Sequence, residues 1–283
     1  MKAWLETSAL VTLHFRCRRV RAGCGEVLAG LPVGTEVVVS RYVVFELARG
    51  FLACLGRFHN ESYACGQWHE VRNIVKARNR DHTYEGPTWR DALDDMEETL
   101  ALDASESESE NPWQAAGRKP AFFRARLRYL ILAGWRQSLD SHEVLNPCGC
   151  RADLPSPREN GEGRLTHDLP MTFGNPGHCG AADNCGVLAF VKDHAVVFAA
   201  IREKLTASKA KAKKGERERR AEGIAHLLKG ESARTFEGVR CHHCGDAMIC
   251  MEAGQGMVVT KDKDYKGLAK LTGGISVRVP HQV

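Results

Sequence analysis

Cys241–Leu271 reads CHHCGDAMICMEAGQGMVVTKDKDYKGLAKL, and its second half decides the fold. Ala247, Met248, Met251 and Ala253 fall at spacings that line one face of a short helix. Gly254 and Gly256 close that helix, glycine being the usual residue past a helix end. Met257–Thr260 (MVVT) then reads as a short buried strand, with Asp262 and Asp264 directly after it. One carboxylate, Asp246, thus opens a helix while another, Asp262, leaves a strand. In α/β folds such groups can converge at one edge of the sheet, where ligands bind. Each acid also has an ordinary role open to it, Asp246 as a helix cap and Asp264 as a turn residue.

Working outward, Lys2–Leu5 is a short apolar piece that leads into Glu6-Thr7-Ser8. Ala9, Leu10, Leu13 and Phe15 then predict a helix to about Arg21. Gly23, Gly25, Gly30 and Pro32–Gly34 predict a loop, and Thr35–Val39 (TEVVV) a buried strand. Ser40 is placed to cap a helix over SRYVVFELARGFLACL, with Val43, Val44, Leu47 and Phe51 as its buried stripe. Glu46 lies beside that stripe, either as part of a site or as a surface glutamate.

Taken in order, these pieces resemble PIN-domain nucleases. The order is a strand followed by an acid and Thr-Ser, a helix with Glu in YVVFELARGFL, a helix opening GDAMICMEA, and a strand running into VVTKDKDYKGL. The resemblance covers residues 1–58 and 240–283. It implies an α/β fold, a PIN-like three-layer core with a small parallel sheet. It also implies a catalytic acidic cluster of Glu6, Glu46, Asp246 and Asp262, supported by Thr7 or Ser8, Thr260 and the auxiliary Asp264. Where the family usually carries aspartate, this chain carries Glu6, one methylene longer. Glu46 and Asp246 are 200 positions apart, more than compact family members allow, so the middle is expected to be a large, mostly helical insertion, an added domain, or both.

The residue types suit the chemistry. Mg²⁺ and Mn²⁺ prefer carboxylate and water oxygens, and clustered carboxylates are tolerable mainly when a cation neutralises them. Such a site hydrolyses phosphodiesters without a histidine base or covalent nucleophile. Ser141-His142 lacks triad context and is set aside.

In the middle of the chain, His59–Arg80 and the stretch around Trp89, Leu93 and Met96 predict two helices. Asp91–Glu110 holds nine acids and no base, and Arg118–Arg136 six bases and no acid. Phe123, Leu127, Leu130 and Ile131 make a helical stripe there, while Arg124 and Arg128 align at i,i+4 as phosphate contacts or as a plain exposed face. Cys148, Cys150, Cys179 and Cys185 sit in a Pro/Gly/Asn-rich span with too little apolar material for its own core. Four thiolates holding a structural Zn²⁺ would order such a loop, with His167 or His178 as a substitute ligand. The rival reading is a set of unpaired thiols. Cys241, His242, His243 and Cys244 offer half of a zinc site, a completion of the one begun at Cys148, or a phosphate contact through His243. Val187–Leu205 predicts one buried helix. Arg202–Arg220 carries nine bases and three acids, and Lys209, Lys211, Lys213 and Lys214 suggest a flexible basic track for phosphates or a solvated linker.

With 283 residues the chain can bury an ample core, and its formal charge of +5 leans toward a polyanionic partner. Eleven cysteines and no apolar run of membrane-spanning length favour thiols or metal ligands in a soluble, cytoplasmic setting. The expected division is a discontinuous core (1–58 and 188–283), a helical insertion (59–146) and a zinc-ribbon-like module (147–187). The expected activity is metal-dependent endonucleolytic cleavage of single-stranded or loop RNA, in a toxin, defence or RNA-processing role. An inhibitory or complex partner and a homodimer are compatible with it, a membrane is not. Two alternatives stand beside it, an RNA-binding or scaffold protein with a degenerate site and a flap-type DNA nuclease.

Overall fold

The computed structural model describes residues 1–16, 18–80, 85–106, 120–150, 156–167, 185–207, 214–231, 244–262 and 265–279. Its centre is a five-stranded, all-parallel sheet. The strands are β1 (Lys2–Leu5), β2 (Glu36–Ser40), β3 (Glu143–Leu145), and two late strands, Met257–Thr260 and Ile275–Arg278. Central strands of a parallel sheet are covered on both faces and therefore read as continuous apolar runs. Trp4, Leu5, Val38, Val39 and the whole of Met257–Thr260 are accordingly buried.

Chain order supplies the remaining elements. After β1 come α1 (Thr7–Phe15) and α2 (Arg18–Ala29). After β2 comes a helix that runs as α3 (Arg41–Leu47), a π turn (Ala48–Leu52) and α4 (Ala53–Glu61). A 3₁₀ turn (Ser62–Ala64), α5 (Trp68–Arg80), α6 (Glu85–Glu106) and α7 (Pro120–Asp140) lead to β3. A small antiparallel hairpin, β4 (Pro157–Glu159) with β5 (Leu165–His167), follows. Then come α8 (Gly186–Asp193), α9 (Ala195–Ala207), α10 (Lys214–Leu228), α11 (Gly245–Ala253), β6 (Met257–Thr260), α12 (Tyr265–Leu271) and β7 (Ile275–Arg278).

Strand order is β3-β2-β1-β6-β7. The early strands step one way from β1 and the late ones step the other way, so the winding reverses between β1 and β6. Right-handed crossovers in opposite directions place α1 and α12 on opposite faces. At such a reversal the loops part, opening a crevice beyond the carboxyl ends of the strands.

Several expectations are corrected. Gly23 and Gly25 lie inside α2, which continues to Ala29. The Val187–Leu205 stretch breaks at His194, whose ring Nδ1 contacts the Phe190 carbonyl oxygen. The expected basic track is helical again from Lys214. Within the 59–146 stretch, expected to be helical, β3 is a strand that pairs with β2 in the central sheet. The helices between also share its core. Phe58 stacks on Trp89 at 4.8 Å and meets Phe123 edge-on at 5.1 Å, and the Trp89 indole donates to the Cys54 carbonyl at 3.0 Å. Phe15 presses so close to α7 that a Cβ at Gly134 would lie 2.5 Å from its ring. Among the described residues, no helix is long and apolar enough to cross a membrane.

Candidate active site

Hydroxyls and carboxylates gather where β1 and β6 end. Glu6 follows β1 and keeps its extended conformation, its amide donating to the Val259 carbonyl at 3.0 Å. Its side chain caps α1. Oε2 accepts from the Ser8 amide at 2.9 Å, from the Ser8 hydroxyl and from Thr260 Oγ1 at 3.0 Å. The Ser8 hydroxyl in turn accepts from the Lys261 amide at 3.0 Å, which ties the end of β6 to the start of α1. Glu46, one residue before the end of α3, takes a hydrogen bond from the Thr7 hydroxyl on Oε2. Asp246 lies in the first turn of α11; the cap position belongs to Cys244. Its Oδ1 accepts from the Tyr265 hydroxyl at 3.0 Å, and its Oδ2 pairs with Arg220 of α10.

Proximity shows in the acidities. Burial pushes the Glu6 carboxyl up to about 7, with the Asp246 charge adding to the rise and the Ser8 and Thr260 hydrogen bonds opposing it. Glu46 is pushed up to about 8, first by burial and then by Asp246 and Glu6, against the Thr7 hydrogen bond and the Arg220 charge. Tyr265 is driven well above its ordinary value by burial and by the three carboxylates, so it remains a hydrogen-bond donor. Glycine at 245 lets α11 approach, because a Cβ there would sit 3.0 Å from Glu46 Oε1. Three acids from three elements therefore lie near enough for each charge to act on the others.

Compared with protein-family models, curated proteins and solved structures, the chain matches none. The functional reading rests on the geometry.

Among the described residues, no three His, Cys, Asp or Glu side chains form a ready-made cage for a metal ion. The donors nonetheless fit a hard divalent cation in kind. Oε1 of Glu6 and Oε1 of Glu46 take no hydrogen bond from the described residues, since every hydroxyl contact falls on Oε2. Carboxyls whose pKa is raised by burial, and then by one another's charge, are also groups that a divalent ion would neutralise.

The other expected site residues divide three ways. Asp262 joins the same edge through its backbone, its amide donating at 2.9 Å to the Thr260 hydroxyl that also serves Glu6. Asp264, Cys179, Lys209, Lys211, Lys213, Cys241, His242 and His243 lie outside the described residues. Lys214 opens α10. Arg124 and Arg128 have structural partners. Arg124 donates to the Ser62 carbonyl at 2.9 Å and covers the Tyr63 ring, while Arg128 pairs with Glu159 at 2.6 Å. Together with Tyr63, whose hydroxyl donates to the Gly163 carbonyl, they pin the β4–β5 hairpin to α7 and the turn after α4.

Three of the four cysteines assigned to zinc flank one backbone contact. A Cβ on Gly186 would lie 2.1 Å from the Gly149 carbonyl oxygen, so the Cys148–Cys150 turn abuts the start of α8 at Cys185. Cys148 and Cys150 are buried. The Cys148 amide donates to Glu252 Oε1 at 3.3 Å, and burial with the Glu252 charge raises its thiol far above the ordinary range. His142 meets His14, Nε2 to Nε2, at 3.0 Å.

Arg220, Tyr265 and Glu252 were missed in the sequence. Tyr265 had a signal in its place directly after DKD. Arg220 is hidden among the bases of ERERR, where nothing distinguishes it from its neighbours.

Proposed function

We propose that the chain is a metal-dependent endonuclease with a PIN-like active site, acting on RNA. One observation carries the reading: Glu6, Glu46 and Asp246, supplied by three different elements, converge where the sheet reverses its winding, with Asp262 beside them. Mg²⁺ or Mn²⁺ held by these carboxylates would supply Lewis acidity toward the scissile phosphate and its attacking water. The chain's own part is positional. Thr7, Ser8 and Thr260 each direct one carboxylate oxygen, and Tyr265 directs Asp246. The net charge of +5 favours a polyanionic substrate. A structural Zn²⁺ at Cys148, Cys150, Cys179 and Cys185 belongs to the same reading, supported by the approach of Gly149 to Gly186.

The test is cleavage of a labelled single-stranded RNA by purified protein with Mn²⁺. The wild type is expected to cut, while Asp246→Asn and the wild type in EDTA are not. Equal cleavage by Asp246→Asn would end the proposal. The ion pair of Asp246 with Arg220 favours a second reading, an RNA-binding protein whose acid cluster is filled by its own arginine. A gel shift unaffected by EDTA, without cleavage, would select it. Structured DNA as competitor separates RNA from flap-type substrates.

A further inference from the structure

We infer that Arg220 is the built-in counter-ion of the acid cluster, and that it and a divalent cation are alternative occupants of the Asp246 carboxylate. The inference rests on the proposed metal site, yet it concerns α10, an element outside the stretches that resemble a nuclease core.

The cluster holds Glu6, Glu46 and Asp246, and the guanidinium of Arg220 contacts Asp246 Oδ2. Both partners are largely withdrawn from water, with side-chain exposures of 19% for Arg220 and 17% for Asp246. An ion pair this enclosed is not a surface contact formed by chance, since two charges leave water only when each compensates the other. Arginine cannot relieve the situation by losing its proton, so it remains a permanent cation at this point. Its charge also acts on Glu46, so it bears on more than one acid.

The side chain is delivered by a braced element. α10 packs along α9, and α9 is fastened to the sheet region by Lys204 Nζ, which donates to the Gly267 carbonyl of α12 at 2.7 Å. Tyr265, on that same α12, holds the other oxygen of Asp246. Asp246 thus has one oxygen fixed by a neutral donor and the other neutralised by a cation. A divalent ion entering between the acids would meet that guanidinium as a like charge, so the two cannot share the carboxylate. Loading of the site then requires the Arg220 side chain to swing away, and the affinity for the ion is lowered by the cost of that exchange.

The experiment measures Mn²⁺ binding by calorimetry and thermal unfolding in EDTA and in Mn²⁺, for wild type, Arg220→Met, Arg220→Lys and the double variant Arg220→Met/Asp246→Asn. Arg220→Met is expected to melt several degrees below wild type in EDTA, to recover in Mn²⁺, and to bind Mn²⁺ about tenfold more tightly or better. Arg220→Lys should fall between the two. The double variant removes both charges and is expected to melt near wild type in EDTA, with no response to Mn²⁺. If Arg220→Met fails to fold, the double variant and Arg220→Lys still decide the matter. Unchanged or weaker Mn²⁺ binding in Arg220→Met overturns the exchange, and with cleavage intact it leaves the nuclease reading standing. Absence of Mn²⁺ binding in every variant overturns both.

Discussion

Thr260 Oγ1 donates to Glu6 Oε2 at 3.0 Å, joining side chains 254 positions apart at the ends of two adjacent strands. That hydroxyl also accepts from the Asp262 amide, so one threonine orients an acid and anchors the turn beyond β6. Thr260→Val keeps the shape and removes both contacts. The loss of a buried donor is expected to cost about 1–3 kcal/mol. Because the bond favours the charged carboxylate, Glu6 should titrate higher still, moving the acid limb of the cleavage profile to higher pH. An unmoved limb would show that Thr260 does not set the acidity of Glu6.

Glu46 carries the clearest pH signature. Its folded-state value of about 8 lies above the ordinary 4.5, so between them the folded chain binds more protons than the unfolded one. Stability is therefore lost as pH rises through that interval. Glu46→Gln removes the titration while keeping an acceptor for Thr7. Thermal unfolding should show Glu46→Gln more stable than wild type near pH 8 and about equal near pH 5, with cleavage abolished. Equal melting at both pH values would mean that the carboxyl is not held protonated.

The His14–His142 pair has the opposite sign. Burial, then His142 and Arg21, push His14 down to about 4 from 6.5, and burial lowers His142. Between those values the unfolded chain binds more protons, so stability falls as pH drops from 6.5 toward 4. Facing Nε2 atoms allow only one proton between them, which is why the second imidazole resists charging. His14→Gln should flatten the acid side of the melting profile, and a profile that stays equally steep would rule the pair out as its cause.

Gly245→Ala separates site geometry from stability. Alanine is worth about 1 kcal/mol over glycine in a helix interior, with less at stake in the first turn. The added methyl, however, would lie 3.0 Å from Glu46 Oε1 and 3.4 Å from the Tyr42 ring. Cleavage is expected to fall about tenfold or more with melting within a few degrees of wild type, as small displacements of catalytic groups cost rate. Full activity would show that the carboxylate has room to move.

What was legible in the sequence follows from length scale. β1, β2, α11 and β6 were readable because buried parallel strands and a glycine-stopped helix leave local patterns within a few residues. The positions of Glu6 and Asp246 at the ends of these elements, and of Glu46 in the helix after β2, were readable with them, while their role as a cluster came only from the resemblance. β3 was not, since an edge strand of three residues, EVL, lacks a continuous apolar run. The glycines at 23 and 25 misled because α2 is held by packing that overrides their weak helix propensity. The roles of Arg124, Arg128 and Arg220 were beyond reading. A basic residue looks the same whether it meets a phosphate, a carbonyl or a buried acid, and only the tertiary arrangement separates these cases.

The placement of β1 between β2 and β6 has a consequence for biosynthesis. Glu6 leaves the ribosome with Thr7 and Ser8, whereas Thr260 follows 254 positions later. Until then β1 offers an open flank, and its acid has no strand on that side to meet. Until β6 docks, the nascent chain therefore holds Glu6 without the Thr260 hydroxyl that orients it.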